Sequence, residues 1–153
     1  MSKKTISADN SVNVAGRQKA RHYAVQAMYQ WILAGASATD IEAEYRADND
    51  MTAVDVAYFH DVLTGTIRQC AELDAVFEPL LDRQLHELDP LTLGQLRLAT
   101  YEFRARTDVP WVVILDEAIR LSKKFGPTDS FKFLNGVLEN VARQLRPVET
   151  GRR

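Results

Sequence analysis

Arg17, Lys19 and Arg21 stand at the head of a helical pattern that continues through Ala24-Val25-Gln26-Ala27-Met28-Tyr29. Cations ordinarily favour the other end of a helix, because the N-terminal end of the macrodipole is already positive. A helix start presents free backbone N–H groups that bind phosphate, and added Arg and Lys strengthen the pull on a polyanion. The cluster reads either as a phosphate site or as a solvated, fraying terminus. Tyr29, two turns beyond Arg21, is either a core residue or an aromatic edge on which an unpaired base stacks. A second group lies at Thr128-Asp129-Ser130-Phe131-Lys132-Phe133. Asp129 suits a helix cap, while Lys132 and Phe133 beside that helix start offer another phosphate-and-base contact.

Other chemistry finds little support. His22, His60 and His86 are far apart and share no ligand spacing, and no His-Glu-x-x-His, Cys-x-x-Cys or Gly-rich phosphate loop occurs. Cys70 sits in a helical pattern and reads as a buried thiol rather than a nucleophile paired with a histidine. Asp116 reads as the i,i+4 partner of Arg120. The chain is therefore expected to be no enzyme, with neither metal nor cofactor.

The elements that must carry these residues read as helices throughout. A polar lead over residues 1–15 is expected to be disordered, and so is the tail at 147–153. Between them, residues 16–146 form one helical domain. Helix one runs from near Gly16 to Ala34, with Ala20, Ala24, Met28 and Trp31 inward and Gly35 as its stop. A weaker helix covers Thr39–Ala47, a third Thr52–Cys70, and a fourth Ala71–Leu81 that ends or kinks at Pro79. The fifth follows Asp89-Pro90. Asp108-Val109-Pro110 opens the sixth, with Asp as cap, and Phe125-Gly126-Pro127 closes it. The seventh carries Leu134, Val137, Leu138, Val141 and Leu145. Gly136 inside it implies another backbone packed closely against it or a ligand that approaches there, with packing the favoured reading. No run alternates strictly with period two, so the fold class is all-α, a single-domain bundle of about seven helices.

The chain has 153 residues, 46% hydrophobic and 26% charged, with a net charge of −2. That is the make-up of one soluble domain. The charge is unevenly spread: Lys3, Lys4, Arg17, Lys19 and Arg21 face only Asp9 at one end, and Arg143, Arg146, Arg152 and Arg153 face only Glu149 at the other. The middle is correspondingly acidic, as for a localised polyanion site on an acidic body. No apolar run approaches the roughly 18–20 residues that span a bilayer, and no signal-peptide core opens the chain. With its single cysteine, a reduced cytoplasmic setting without membrane contact is expected.

Taken in order, Lys19-Ala20-Arg21, Gln26-Ala27-x-Tyr29, Tyr58-Phe59, Gly65, Leu96-Arg97-Leu98-Ala99-x-Tyr101-Glu102, Asp108-Val109-Pro110, Glu117-Ala118 and Lys124-Phe125-Gly126-x-x-x-Ser130-x-Lys132-Phe133-x-Asn135-Gly136-Val137-Leu138 closely resemble the NusB family of bacterial transcription antitermination factors, from about Arg17 to Arg146. The resemblance implies a bundle of seven helices that binds the boxA element of ribosomal RNA leader transcripts together with NusE, a small-subunit ribosomal protein, in an antitermination complex on RNA polymerase. It places Arg17, Lys19 and Arg21 in the family's Arg-rich RNA-contacting segment, with Gln18 at an often basic position, which lowers the expected affinity for RNA alone. It also places Asp129, Ser130, Lys132 and Phe133 at the RNA site. Arg21→Glu is then expected to weaken RNA binding with little effect on helicity. Some members form homodimers that cover the RNA face. The same fold occurs ahead of RNA cytosine methyltransferases, but 153 residues leave no room for that domain, so a stand-alone factor is expected. The competing reading is a helical protein-interaction module without specific RNA binding.

Overall fold

The computed structural model describes residues 2–151, with side chains from Val14 onward. Its elements are α1 (Ser2–Ala34), α2 (Ala38–Asp48), α3 (Val56–Arg68), α4 (Cys70–Phe77), 3-10 turns at Glu78–Leu80 and Leu85–Glu87, α5 (Pro90–Ala105), α6 (Trp111–Phe125), α7 (Ser130–Leu145) and α8 (Pro147–Thr150). No strand occurs among the described residues. The expected disordered lead falls on residues 1–15, of which the side chains of 1–13 lie outside the described part.

Helix α5 is the axis of the bundle. It is buried almost continuously from Thr92 to Phe103, and α1, α3, α4, α6 and α7 pack around it. A helix buried on all sides must find partners for most of the polar groups it carries, and the Thr100 hydroxyl is an exception, buried without one. Gln95 donates to the Ala118 carbonyl at 3.0 Å, and Arg97 forks onto Asp74 with two bonds of 2.8 Å. Tyr101 donates to Asp61 at 2.7 Å; burial first, and then this bond, push its phenol up to about 12. Small residues let the helices close in: Ala20, Ala24 and Ala27 of α1 are fully buried.

At Gly65 a Cβ would lie 2.3 Å from the Tyr101 ring. Gly65→Ala therefore overpacks the α3–α5 contact and should cost about 1–3 kcal/mol of unfolding free energy, read from urea denaturation followed by circular dichroism. An unchanged midpoint would show that Tyr101 can retreat freely.

Several helix ends differ from the sequence expectation, each for a local reason. Helix α3 starts at Val56 because Asp55 caps it, accepting from the Tyr58 N–H. Pro79 falls in a 3-10 turn just after α4. Asp108 does not cap α6; Pro110 holds the N-cap position and the Glu149 carboxylate accepts the Trp111 N–H at 3.1 Å. Asp129 sits at the head of α7 with a left-handed φ of 65° and makes no side-chain cap bond. Gly35 ends α1 with φ +72°, as its position implies. Gly126 ends α6 for want of space instead, since a Cβ there would meet the Ser130 Oγ at 2.6 Å and the Ser122 carbonyl at 2.8 Å. Gly136 faces open space, so close packing does not account for it. Arg120 pairs with Glu117 at 2.8 Å and not with Asp116. Cys70 is half-buried, and burial pushes its thiol up, which keeps it unreactive.

The tail is the largest correction. Pro147–Thr150 form the short helix α8, which packs on α7, and Thr150 is buried. Arg146 is what holds it there: its side chain is 6% exposed and reaches back to the carbonyls that end α5, while pairing with Glu149. The last residues beyond 151 lie outside the described part.

Candidate nucleic-acid interface

The cations at the head of α1 divide between two faces. Arg17, Arg21, Ala24 and Met28 recur at i, i+4, i+7 and i+11 and share the inward stripe. Arg21 is 6% exposed. Its Nε and Nη2 fork onto Glu102 of α5 at 2.9 Å each, and Nη2 also donates to the Tyr58 hydroxyl at 3.1 Å. Tyr58 in turn donates to Glu102. Burial first and Glu102 next push the Tyr58 phenol well above its usual range, so it stays protonated as a donor. Arg17 is partly buried, 3.1 Å from Asp108 and 3.7 Å from Asp55, with its guanidinium 4.5 Å above the Tyr58 ring. Against the burial that raises it, Arg106 and Arg17 hold the Asp108 carboxyl below the usual carboxylate range. The assignment of Arg21 as a surface RNA contact is thus corrected: its guanidinium belongs to the core ion pair. Arg17 is engaged by two carboxylates.

The outward stripe of α1 carries Lys19, His22, Gln26 and Tyr29, spaced i, i+3, i+7 and i+10. Lys19 is exposed and Tyr29 is 41% exposed, so the structure takes Tyr29 out of the core. Facing this stripe is the last part of α6. Lys19 and His22 from α1 and Arg120 and Lys124 from α6 line a cleft of about 410 Å³. The α6 residues were missed because nothing local distinguishes them from a solvated helix face. Their periodicity, Arg120 and Lys124 at i,i+4 just before the Phe125-Gly126-Pro127 stop, was the available signal.

A larger hollow of about 700 Å³ is lined by Gln26, Tyr29, Gln30, Tyr45 and the turn Phe125–Pro127. Phe125 joins the two, with its ring centroid 5.0 Å from that of His22. A third hollow of about 380 Å³ shares Pro127 and Asp89 with the second and is lined by Arg83, Asp129, Ser130 and Phe133. Three neighbouring hollows therefore follow one another from Lys19 to Phe133, with Tyr29 in the second and Asp129, Ser130 and Phe133 in the third.

Each α7 residue has a local role in this groove. Ser130 Oγ is 3.0 Å from Ser122 Oγ, tying the α7 start to the α6 end. Lys132 is exposed, with Asp129 at 3.7 Å. Phe133 is partly buried, and the Arg83 guanidinium covers its ring at 4.3 Å. A base reaching this point would stack on the guanidinium plane or displace it. Arg83 was also missed, since it lies 50 residues from Phe133 in a loop next to Asp82, with which it pairs. Lys19 and Lys124 have no ion-pair partner among the described residues, so this end of the groove holds uncompensated positive charge. The geometry suits a phosphate track flanked by stacking surfaces.

Comparison with known proteins gives a consistent picture. The profile of the NusB family matches residues 18–143. The transcription antitermination protein NusB of Saccharophagus degradans is 50% identical over 139 residues, covering 90% of this chain and 93% of that one. The NusB of Alcanivorax borkumensis is 46% identical over 145 residues, covering 95% and 97%. Among solved structures, T. maritima NusB superposes with a TM-score of 0.77 at 26% identity, covering 90% of this chain and 97% of that one. A structure of the antitermination factors NusB and NusE in complex with dsRNA matches in fold, with a TM-score of 0.71 at 23% identity, covering 84% and 96%.

Proposed function

Because this chain belongs to the NusB family, we propose that it serves transcription antitermination as a non-enzymatic RNA-binding adaptor. In this reading it binds the boxA element of ribosomal RNA leader transcripts together with NusE, and the pair joins an antitermination complex on RNA polymerase. The observation that carries the RNA reading is the succession of neighbouring hollows, with Lys19, Arg120 and Lys124 in the first, Tyr29 and Phe125 in the second and Phe133 in the third. Backbone phosphates take the cations. Splayed bases take the rings and the Arg83 plane, which is how single-stranded RNA is read. With so few free cations, affinity for RNA alone is modest, and NusE raises it by completing the surface.

The test is fluorescence anisotropy of a labelled boxA RNA and a scrambled RNA, with and without NusE. Lys19→Glu combined with Lys124→Glu should lower boxA affinity at least tenfold and flatten its salt dependence, with about 0.7 of slope lost per phosphate contact. Both side chains are exposed, so circular dichroism should be unchanged. Equal, weak binding of both RNAs, indifferent to NusE and to these charges, would favour a protein-interaction module and sink the RNA reading.

A further inference from the structure

His22 occupies the middle of the cationic cleft, and its surroundings are unusual for a surface histidine. Lys124 Nζ lies 3.4 Å from its Nδ1, and the Gln26 carboxamide lies 3.2 Å from its Nε2. The ring is held in place by Phe125 and, edge-on, by Tyr23 at 5.3 Å. An ammonium group can only donate, so Nδ1 accepts from Lys124 and carries no proton there. A neutral ring with its one proton on Nε2 fits this contact once the Gln26 carboxamide, whose nitrogen is placed toward Nε2, is turned to present its oxygen.

The charged groups that face the ring agree with this. Lys19 comes from α1, and Arg120 and Lys124 come from α6. The Glu117 carboxylate, on α6 three residues before Arg120, is taken by Arg120 at 2.8 Å and by Gln18 at 2.8 Å. In the α2–α3 loop, hydrogen bonds from Thr52 first, and Lys19 among the lesser causes, hold the Asp50 carboxyl below the usual carboxylate range. Burial first, then Lys124, Arg120 and Lys19, hold the imidazole below its ordinary range.

We propose that this cleft seats one RNA phosphate against His22, and that the ring takes up one proton from solvent when it does so. The inference rests on the RNA reading above. A phosphate oxygen accepts and never donates, so it takes the place of Lys124 at Nδ1, and the ring nitrogen that meets it must carry hydrogen. Lys124 swings its ammonium onto the same phosphate. The anion reverses the field that kept the ring neutral, and the imidazolium then donates from Nδ1 to phosphate and from Nε2 to the Gln26 oxygen. RNA binding thereby becomes pH-linked through one residue. The sign follows: the bound state has the higher pKa, so affinity rises as pH falls through the interval between the free and bound values. The gain there approaches about tenfold per pH unit.

The experiment uses the full chain and a labelled single-stranded boxA RNA, with affinity measured across pH 6 to 8. In parallel, the His22 ring is titrated by NMR with and without RNA. Proton uptake is measured calorimetrically in two buffers of different ionisation heat. A rise in the His22 pKa on adding RNA, about one proton taken up, and loss of the pH slope in His22→Gln are expected. RNA binding with the His22 titration unmoved and no proton uptake would overturn the proposal alone, leaving a change of tautomer as the ring's response. Absence of RNA binding at every pH would overturn it together with the RNA reading.

Discussion

Arg21→Ala is expected to lower the free energy of unfolding by about 3–5 kcal/mol, the cost of removing one partner from a buried ion pair. The side chains of Arg21 and Glu102 are 7% and 5% exposed, and the guanidinium supplies three bonds to the carboxylate besides one to Tyr58. Without it, Glu102 stays buried at the centre of α5 with only the Tyr58 hydroxyl for company. Although burial works against the charge on Arg21, Glu102 holds the guanidinium protonated more firmly than water does. A natural domain has only about 5–15 kcal/mol in hand, so this loss consumes a large part of it. Arg21→Lys should recover little, because an ammonium cannot fork onto a carboxylate. Arg21→Glu, which sets two carboxylates together, should be worse than alanine. The measurement is urea denaturation followed by circular dichroism, with the midpoint falling by one to several molar for a slope of about 1–3 kcal/mol/M. A fall in RNA affinity with stability intact would return Arg21 to the RNA surface.

The second large effect should come from Arg146→Ala. Arg146 donates to the carbonyls of Phe103 at 2.7 Å, Arg106 at 2.8 Å, Val109 at 3.0 Å and Glu102 at 3.3 Å, and it pairs with Glu149. It thus gathers the carbonyls at and just beyond the C-terminal end of α5, of which Glu102 and Arg106 also accept a backbone N–H while Phe103 and Val109 depend on the guanidinium, and it places a cation at the negative end of the dipole. Stranding buried carbonyls costs about 1–3 kcal/mol each where water cannot reach them. A loss of about 3–5 kcal/mol in unfolding free energy is expected. The change should also free α8 and deprive Trp111 of the Glu149 carboxylate, so amide exchange at Trp111 should quicken by more than the global loss alone explains. Truncation after Arg146 removes α8, the Trp111 cap and the Glu149 partner but leaves the bonds of Arg146 to the carbonyls in place, so it should cost less than Arg146→Ala. Equal effects for the two variants would show that α8, and not the guanidinium, carries the stabilisation. Burial works against the charge on Glu149 as well, but Arg146 and the Trp111 N–H hold its carboxyl below the ordinary range. A depressed carboxylate stabilises above its unfolded pKa, so this contribution is complete at neutral pH and is lost below about pH 4.

Both arginines show where local reading stops. Periodicity was enough for α1, α5, α6 and α7, and punctuation was enough for most ends: Gly35, Asp89-Pro90 and the Phe125-Gly126-Pro127 stop all lie where their backbone chemistry requires. The α6 start was misread because the group that accepts its first N–H, Glu149, lies 38 residues away. The tail was misread for the same reason, since polar composition says nothing about a buried arginine anchoring the segment. The groove was half legible. Lys19, Tyr29, Ser130 and Phe133 could be chosen by residue type and resemblance, whereas His22, Arg120, Lys124 and Arg83 join them only once α1 lies along α6 and the 78–89 segment reaches α7.

The sequence by itself determined an all-helical chain, the family to which it belongs and the two segments from which an RNA site could be made. These follow from short-range chemistry: the 3.6-residue repeat, the conformations open to Gly and Pro, and motif order. The tertiary structure alone decided which cations remain for a phosphate. Arg17 and Arg21 each lie two residues from Lys19, yet α5 sets Glu102 against Arg21 from 81 residues away. Burial of a charge depends on whether a distant carboxylate arrives to compensate it, and no local pattern encodes that arrival.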